Sequence, residues 1–359
     1  MMREATMRDP RQEASAILKV DLTAIQQNWQ SLDRLSSPDT ETAAVVKADG
    51  YGLGAAEIAR CLYRVGTRSF FVAQAREGAV LRDTLSGDFR IFVLNGHMRG
   101  DTELITTHQL IPLLNSTDQF ARHRQELSGH PFGLQLNTGM NRLGLDPEEL
   151  SEILSHEDAN RAVLVMSHLA CADEPGHAMN AYQLKRFHEM THGLTIPRSL
   201  AATGGILLED AYHFSLTRPG IGLYGCLPFS EARPVVTLDI PVIQTRTIAT
   251  GESVGYGAQW KASRPCRVAT ISAGYADGIF RRLGDRASLW YEQQECPIVG
   301  RISMDLITVD ISSLNCDPPY LQLFGEQQSV DGLAVPADTI GYEILTSLGG
   351  RYNRAYGTA

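Results

Sequence analysis

The sequence predicts an α/β protein in two parts: an N-terminal (β/α)8 barrel over 15–236 and a C-terminal, mainly β domain over 237–359, behind a flexible tail at 1–14. Two observations carry the barrel. Eight short apolar runs recur at 43–46, 69–73, 90–95, 110–114, 132–137, 162–168, 199–203 and 213–218, and stretches of helical spacing separate most of them. Strands that alternate with helices form βαβ units and a parallel sheet, and eight of them close into a barrel with its reactive groups at the strands' C-terminal ends. The third observation is a change of texture after about Pro234. "VVTLDIPVIQTRTIATGESVGYG", "RVATISAGYADGI" and "CPIVGRISMDLITVDIS" are rich in β-branched residues and turn signals, with little helical period.

Taken in order, the elements support this reading. The opening "MMREATMRDPRQEAS" is charged and has no apolar h-region, so it reads as a loose tail rather than a signal peptide. The first barrel strand, "AAVV", prepares to enter a core yet runs straight into Lys47, with Gly50, Gly52 and Gly54 close behind. In "AAEIARCLYRVG", Ile58, Cys61, Leu62 and Val65 share one helical face and Gly66 supplies the stop. In "DPEELSEILSHED", Asp146 is the N-cap before Pro147, and acidic residues crowd the first turn.

The polar strand ends are the informative positions. Strand one delivers Lys47, the loop after strand five holds Arg142, strand six ends at His168, strand seven at Thr203, and strand eight at Arg218 before Pro219-Gly220. Each alone reads equally well as a solvated or hydrogen-bonded residue. Their convergence on one mouth of the barrel is the signal.

Composition excludes several classes. A formal charge of −9 over 359 residues argues against a nucleic-acid or anionic-membrane surface. No apolar run approaches the roughly 20 residues of a spanning helix. The six cysteines, at 61, 171, 226, 266, 296 and 316, contain no Cys-x-x-Cys, so neither a zinc knuckle nor a disulfide framework is indicated. The expectation is a soluble cytoplasmic protein.

Two motifs are set aside on context. "HEMTH" (188–192) matches a zinc signature, but Ala181, Lys185, His188 and His192 share a face turned to water, while Leu184, Phe187 and Leu194 form the apolar stripe. Glu209 is the one candidate third ligand, and the solvated face is preferred, with no metal expected. "GIGLYG" (220–225) matches a dinucleotide fingerprint, and Asp239 has about the right spacing for its acidic partner. "CLPFSEARPVV" between them offers no helix of useful length. The glycines suit instead a backbone that approaches a phosphate closely. A phosphate site, a strand-end lysine and a strand-end arginine together point to pyridoxal phosphate, whose aldehyde a lysine can hold.

Here the residues reach a family. "VVKADGYGLGA", "LNTGMNRLG", "MSHLACADE", "RPGIGLYG", "VGYGAQW", "AGYADG", "VGRISMDLITVD" and "GGRYNRAYG" together resemble the alanine racemases, in unbroken order from about residue 17 to 357. The resemblance implies a pyridoxal-phosphate isomerase that interconverts L- and D-alanine as a homodimer with shared active sites. It makes Lys47 the lysine that carries the cofactor. Tyr51, Tyr356, Thr203 and the backbone at Gly220-Ile221 become the phosphate cradle. Arg218 faces the pyridine nitrogen, with His168 bonded behind it. Because racemisation needs a proton on each face of the α-carbon, Lys47 serves one face and Tyr256, from the partner subunit, the other. Met304 offers its backbone to the substrate carboxylate across the interface, Arg142 contacts cofactor and carboxylate, and Tyr275, Arg281 and Arg301 line the entrance.

The sequence departs from the family pattern at three places. Gln135 stands where the family often has a lysine that becomes carbamylated, Ala202 replaces a common asparagine before Thr203, and Ser303 stands where cysteine is frequent. Three other readings remain: a broader racemase acting also on serine, a non-catalytic pyridoxal-phosphate barrel, and a zinc hydrolase using "HEMTH". Non-catalytic carriers are typically a lone barrel, so the β domain with Tyr256 and Met304 speaks against the second.

Overall fold

The computed structural model describes residues 15–357, and the tail expected at 1–14 lies outside the described residues. The chain divides into two compact units, one of Ile25–Leu223 with Pro228–Ala232, the other of 15–24, Tyr224–Leu227 and 233–357. The first strand, β1 (Ile17–Asp21), belongs to the second unit.

The first unit contains β2 (Glu41–Thr42), β3 (Ala44–Val45), β4 (Ser69–Val72), β5 (Arg90–Val93), β6 (Ile111–Leu114), β7 (Phe132–Gln135), β8 (Ala162–Met166), β9 (Arg198–Ser199) and β10 (Leu216–Thr217). Strands β3 to β9 pair side by side in sequence order, all parallel, and β10 pairs parallel with β2. β2 and β3 are one run interrupted at Ala43, whose amide donates to the Thr217 carbonyl at 2.9 Å. With Val45 N on Pro219 O at 3.0 Å and Arg218 N on Ala201 O at 2.9 Å, the ring closes, and its eight runs are those read from the sequence. Strands β4, β6 and β7 are buried at every position, which is why they read as continuous apolar runs rather than alternating ones.

The helices follow their sequence signals. Ala55–Arg64 buries Ile58, Cys61 and Leu62, and Gly66 follows at φ 120°. Pro147–Leu154 begins after Asp146, whose amide donates to Glu149 Oε2 at 2.9 Å. The helix Ala178–Met190 ends before His192, and His188, Glu189 and His192 are exposed, with Glu189 near Lys185 at 3.8 Å. Among the described residues no cluster of three potential metal ligands forms.

In the second unit, β11 (Val236–Ile248) is the spine. After it come β12 (Ser253–Val254), β13 (Trp260–Lys261), β14 (Cys266–Ile271), β15 (Ser288–Tyr291), β16 (Gln294–Pro297), β17 (Ile307–Asp310), β18 (Tyr320–Phe324) and β19 (Asn353–Gly357). The first half of β11 pairs antiparallel with β1 and β18; after a register shift between Val242 and Gln244 the second half pairs with β14. β1 also pairs parallel with β19, which sets Tyr356 opposite Val20. Asp239, weighed above as the acidic partner of the dinucleotide fingerprint, is a buried structural anion: Lys19 Nζ reaches it at 2.8 Å and Gln322 Nε2 at 2.9 Å. The mainly β expectation holds, with two short helices, Val330–Ala337 and Gly341–Ser347, added. They are too short to leave a periodic trace, and Pro336 lies inside the first.

Candidate active site

Lys47 opens a short left-handed turn at the end of β3. Ala48, Asp49, Gly50 and Tyr51 have φ of 52°, 52°, 63° and 56°, a region that costs an L-residue about 1–2 kcal/mol each. The turn is held by Gly52 N on Ala48 O at 2.8 Å, Gly54 N on Asp49 O at 2.8 Å, and Ala55 N on Asp49 Oδ1 at 2.9 Å. It leaves Lys47 half-buried and brings Tyr51 fully into the core. Burial, then the charge of Arg142, pushes the Lys47 ammonium below its ordinary range, against an opposing pull from Glu77. A lysine so biased towards its neutral form suits covalent and proton-transfer work.

Arg218 follows β10 and is buried at 3% exposure. Its guanidinium donates to Ser199 Oγ, to Ser167 O at 2.7 Å and to Leu200 O at 3.2 Å, and it lies 5.9 Å from the centre of the Phe71 ring. The bond expected from His168 is not among these contacts; the two residues meet through charge. Burial, then Arg218, Arg142 and Lys47, pushes His168 down to about 3, so its imidazole is neutral at physiological pH. Burial draws Arg218 down to about 9, still above neutrality, so the guanidinium keeps its proton. Two supporting residues escaped the sequence reading. Buried Gln183 accepts from Ala170 N at 2.8 Å and donates to His168 O at 2.9 Å and Thr138 Oγ1 at 3.1 Å. Thr138 Oγ1 in turn meets Ser167 Oγ at 2.8 Å, so one network joins the ends of β7 and β8 to the arginine.

Thr203 and Gly220 form a compact cradle. The Thr203 hydroxyl accepts from Gly220 N at 3.0 Å and Gly222 N at 3.2 Å, which leaves its own O–H free to donate. Ile221 opens a 3-10 turn, so its amide has no partner within that turn. A Cβ placed on Gly220 would lie 2.5 Å from the Tyr51 hydroxyl, so only a glycine keeps this space open. Ala202, at the asparagine position, precedes the turn Thr203–Ile206 as its extended N-cap. Arg142 is exposed, in a loop tied by Asn137 to Asn141 and Asp146, each at 3.0 Å. Gln135 ends β7, buried at 7% exposure.

The second unit presents the remaining expected residues. Tyr256 stands on a turn between Gly255 (φ 74°) and Gly257 (φ 75°), with 73% of its surface exposed. Arg301 donates to Gln259 Oε1 at 2.8 Å at the foot of that turn. Tyr275 N bonds Ser303 O at 3.1 Å and Ala276 N bonds Met304 O at 3.0 Å, so the loops carrying Tyr275 and Met304 lie edge to edge. Ser303 closes its own turn, Oγ donating to Leu306 O at 2.7 Å. Both loops are pinned by Arg351, an unanticipated residue, which grips buried Asp277 with two bonds at 2.6 and 2.7 Å and Asp305 at 2.7 Å. Arg281 is exposed on the adjacent turn, and Tyr356 is half-buried on β19.

The free Thr203 hydroxyl, the amide of Ile221 and the space kept at Gly220 fit a phosphate, while Lys47 and Arg218 fit the aldehyde and ring nitrogen of a pyridoxal. This donor set on a (β/α)8 barrel defines the class of barrel-type pyridoxal-phosphate enzymes. The sequence matches the family described as "Alanine racemase, N-terminal domain" over residues 20–228 and "Alanine racemase, C-terminal domain" over 235–356. It is 56% identical over 343 residues to the alanine racemase of Dinoroseobacter shibae, covering 96% of this chain and 98% of that one. It is 46% identical to a catabolic alanine racemase of Agrobacterium fabrum, with 96% and 92% covered. The structure resembles that of the alanine racemase from Bartonella henselae with covalently bound pyridoxal phosphate, at a TM-score of 0.90 and 38% identity, covering 96% of this chain and all of that one. The chain belongs to the alanine racemase family.

Proposed function

We infer that the chain is a pyridoxal-phosphate isomerase that interconverts L-alanine and D-alanine. The match of both family domains, over 20–228 and 235–356, carries this reading. When bound, pyridoxal phosphate withdraws electron density from the substrate's α-carbon and makes its proton removable. Lys47 holds the cofactor and moves a proton on one face of that carbon; Tyr256 of the partner subunit serves the other. Thr203, Tyr51, Tyr356 and the Gly220-Ile221 amides hold the phosphate. Arg218, which keeps its proton, leaves the ring nitrogen unprotonated and restrains side reactions such as transamination. His168 supports the ring side of the site as a neutral group. Arg142 and the Met304 backbone receive the substrate carboxylate, and Tyr275, Arg281 and Arg301 screen entry by size.

The wider setting is part of the same proposal. The enzyme works as a cytoplasmic homodimer, and among the described residues no helix is long and apolar enough to cross a membrane. Its product serves peptidoglycan synthesis, or its reverse reaction consumes D-alanine. Against a non-catalytic barrel stands the full second domain with its exposed tyrosine. The test is to measure racemisation across a panel of small amino acids, serine included, and to trap the cofactor with borohydride. Alanine should be turned over fastest, with the reduced adduct on Lys47; an adduct on another lysine, or no racemisation of alanine, overturns the reading.

A further inference from the structure

We propose that Glu77 is a positioning residue for Lys47, its carboxylate fixing the peptide that follows the lysine. This rests on the reading of Lys47 given above. Glu77 lies in the first turn of the helix Ala75–Thr84. Its Oε2 caps that helix, accepting from Ala73 N at 2.7 Å and Gln74 N at 3.2 Å. Capping is complete with that oxygen. The other, Oε1, reaches across 29 residues of sequence to accept from Ala48 N at 2.8 Å.

Ala48 N belongs to the peptide that joins Lys47 to the left-handed turn, so this bond orients the lysine's own backbone. Bonds of the turn from Gly50, Gly52, Leu53, Gly54 and Ala55 go to acceptors within 46–50, and Val46 N, just ahead of the lysine, bonds Phe71 O of β4 at 2.9 Å. The former close the turn on itself, and the last ties the chain to β4 just ahead of Lys47. Glu77 adds a second tie, on the far side of the lysine, by clamping Ala48 N to the end of β4. Holding three non-glycine residues at positive φ costs several kcal/mol, roughly 3–6, and such strain persists only where the surroundings over-determine it.

The same carboxylate acts on the amine. Of the charged groups facing Lys47, Arg142 disfavours the ammonium and Glu77 favours it, while His168 is itself held neutral in part by Lys47. Glu77 therefore moderates a lysine that burial would otherwise push further towards its neutral form.

The experiment compares Glu77→Ala and Glu77→Gln with the parent chain. The chain has four lysines, Lys19, Lys47, Lys185 and Lys261, so the amines can be followed singly by carbon-13 methyl NMR on the cofactor-free full chain, with Lys47→Arg as the assignment blank. In both variants the Lys47 titration should move to lower pH while the other three stay in place. In the holoenzyme, Glu77→Ala should lower kcat by about 10- to 100-fold with KM changed less than about threefold, the signature of a displaced reacting group. Glu77→Gln, which retains an acceptor for Ala48 N, should lose less. A purely structural role would lower stability without moving the titration or splitting kcat from KM. Lys47 titrating as in the parent in folded variants overturns the proposal; should Glu77→Ala not fold, Glu77→Gln decides the titration alone. A parent chain with no borohydride-fixed cofactor on Lys47 refutes the functional reading instead, and the titration still decides on Glu77.

Discussion

A methyl group on residue 220 would meet the Tyr51 hydroxyl at 2.5 Å and the Val45 Cβ at 3.5 Å, although the backbone there needs no left-handed conformation. Gly220 is therefore a glycine for space, and the space it keeps is the one assigned to phosphate. Gly220→Ala should leave the barrel folded and weaken pyridoxal-phosphate binding by about tenfold or more, equivalent to about 1.4 kcal/mol. Spectroscopic titration of the cofactor-free chain measures it; unchanged affinity would place the phosphate elsewhere. At this scale the sequence was informative wherever a residue's position follows from the strand pattern. Lys47, His168, Thr203 and Arg218 lie at strand ends, and strand ends follow from the apolar rhythm. Glu77 and Gln183 lie on helices and act through bonds to residues as far as 29 and 45 positions away, so nothing local in the sequence marks them beyond the N3 position of Glu77. His168 lies beyond its strand end as read, while the Arg218 guanidinium bonds a hydroxyl and two carbonyls, contacts that no local pattern marks.

Among the elements, the helix Thr117–Glu126 makes the clearest pH statement. It docks on the barrel through His123, 2% exposed, whose ring lies 5.1 Å from Phe132, 5.6 Å from His97 and 6.0 Å from His130. His123 Nε2 donates to His130 O at 3.1 Å, while Nδ1 is buried without a partner, so a second proton has nowhere favourable to go. Burial pushes His123 down to about 4; the His130 carbonyl and Asp158 oppose the shift, and His97 and His130 add to it. Glu126, Arg122 and Asp101 complete the charges facing this histidine group. The folded pKa lies below the unfolded one, so the unfolded chain binds the extra proton first as pH falls. Stability is complete above about 6.5 and is lost between there and about 4. One such proton is worth at most about 1.4 kcal/mol per pH unit. Urea unfolding at several pH values should show the loss, and His123→Gln, which keeps a donor for the His130 carbonyl, should flatten the slope by that amount. An unchanged slope would remove His123 as its source. Periodicity located this helix's neighbours but not its histidine contacts, since a histidine among Phe120, Phe132 and His97 reads the same from sequence whether it is packed or solvated.

At the scale of the molecule, the two-part architecture was legible because the barrel and the β unit have different hydrophobic periods. The placement of β1 was not. Its partners β11 and β19 come more than two hundred residues later, and such pairings leave no local mark in the sequence. The proposed division of catalysis follows the same two parts, with Lys47 in the barrel unit and Tyr256 in the β unit. Tyr256, Met304 and Tyr275 leave 73%, 54% and 44% of their surfaces exposed, apolar area of the kind that a second chain covers. If each site combines Lys47 of one subunit with Tyr256 of the other, the arrangement can be tested by sorting the two defects. A Lys47→Ala chain and a Tyr256→Phe chain, carrying different tags and co-expressed, yield a heterodimer in which one site holds both native groups and the other holds neither. Each homodimeric parent has two defective sites and should be nearly inactive. The purified heterodimer should show about half the activity of the unmodified dimer, since one of its two sites is intact. It should also work in both directions, because the intact site can move a proton on either face. A heterodimer as inactive as its parents would mean that both groups come from a single chain, or that Tyr256 only shapes its turn.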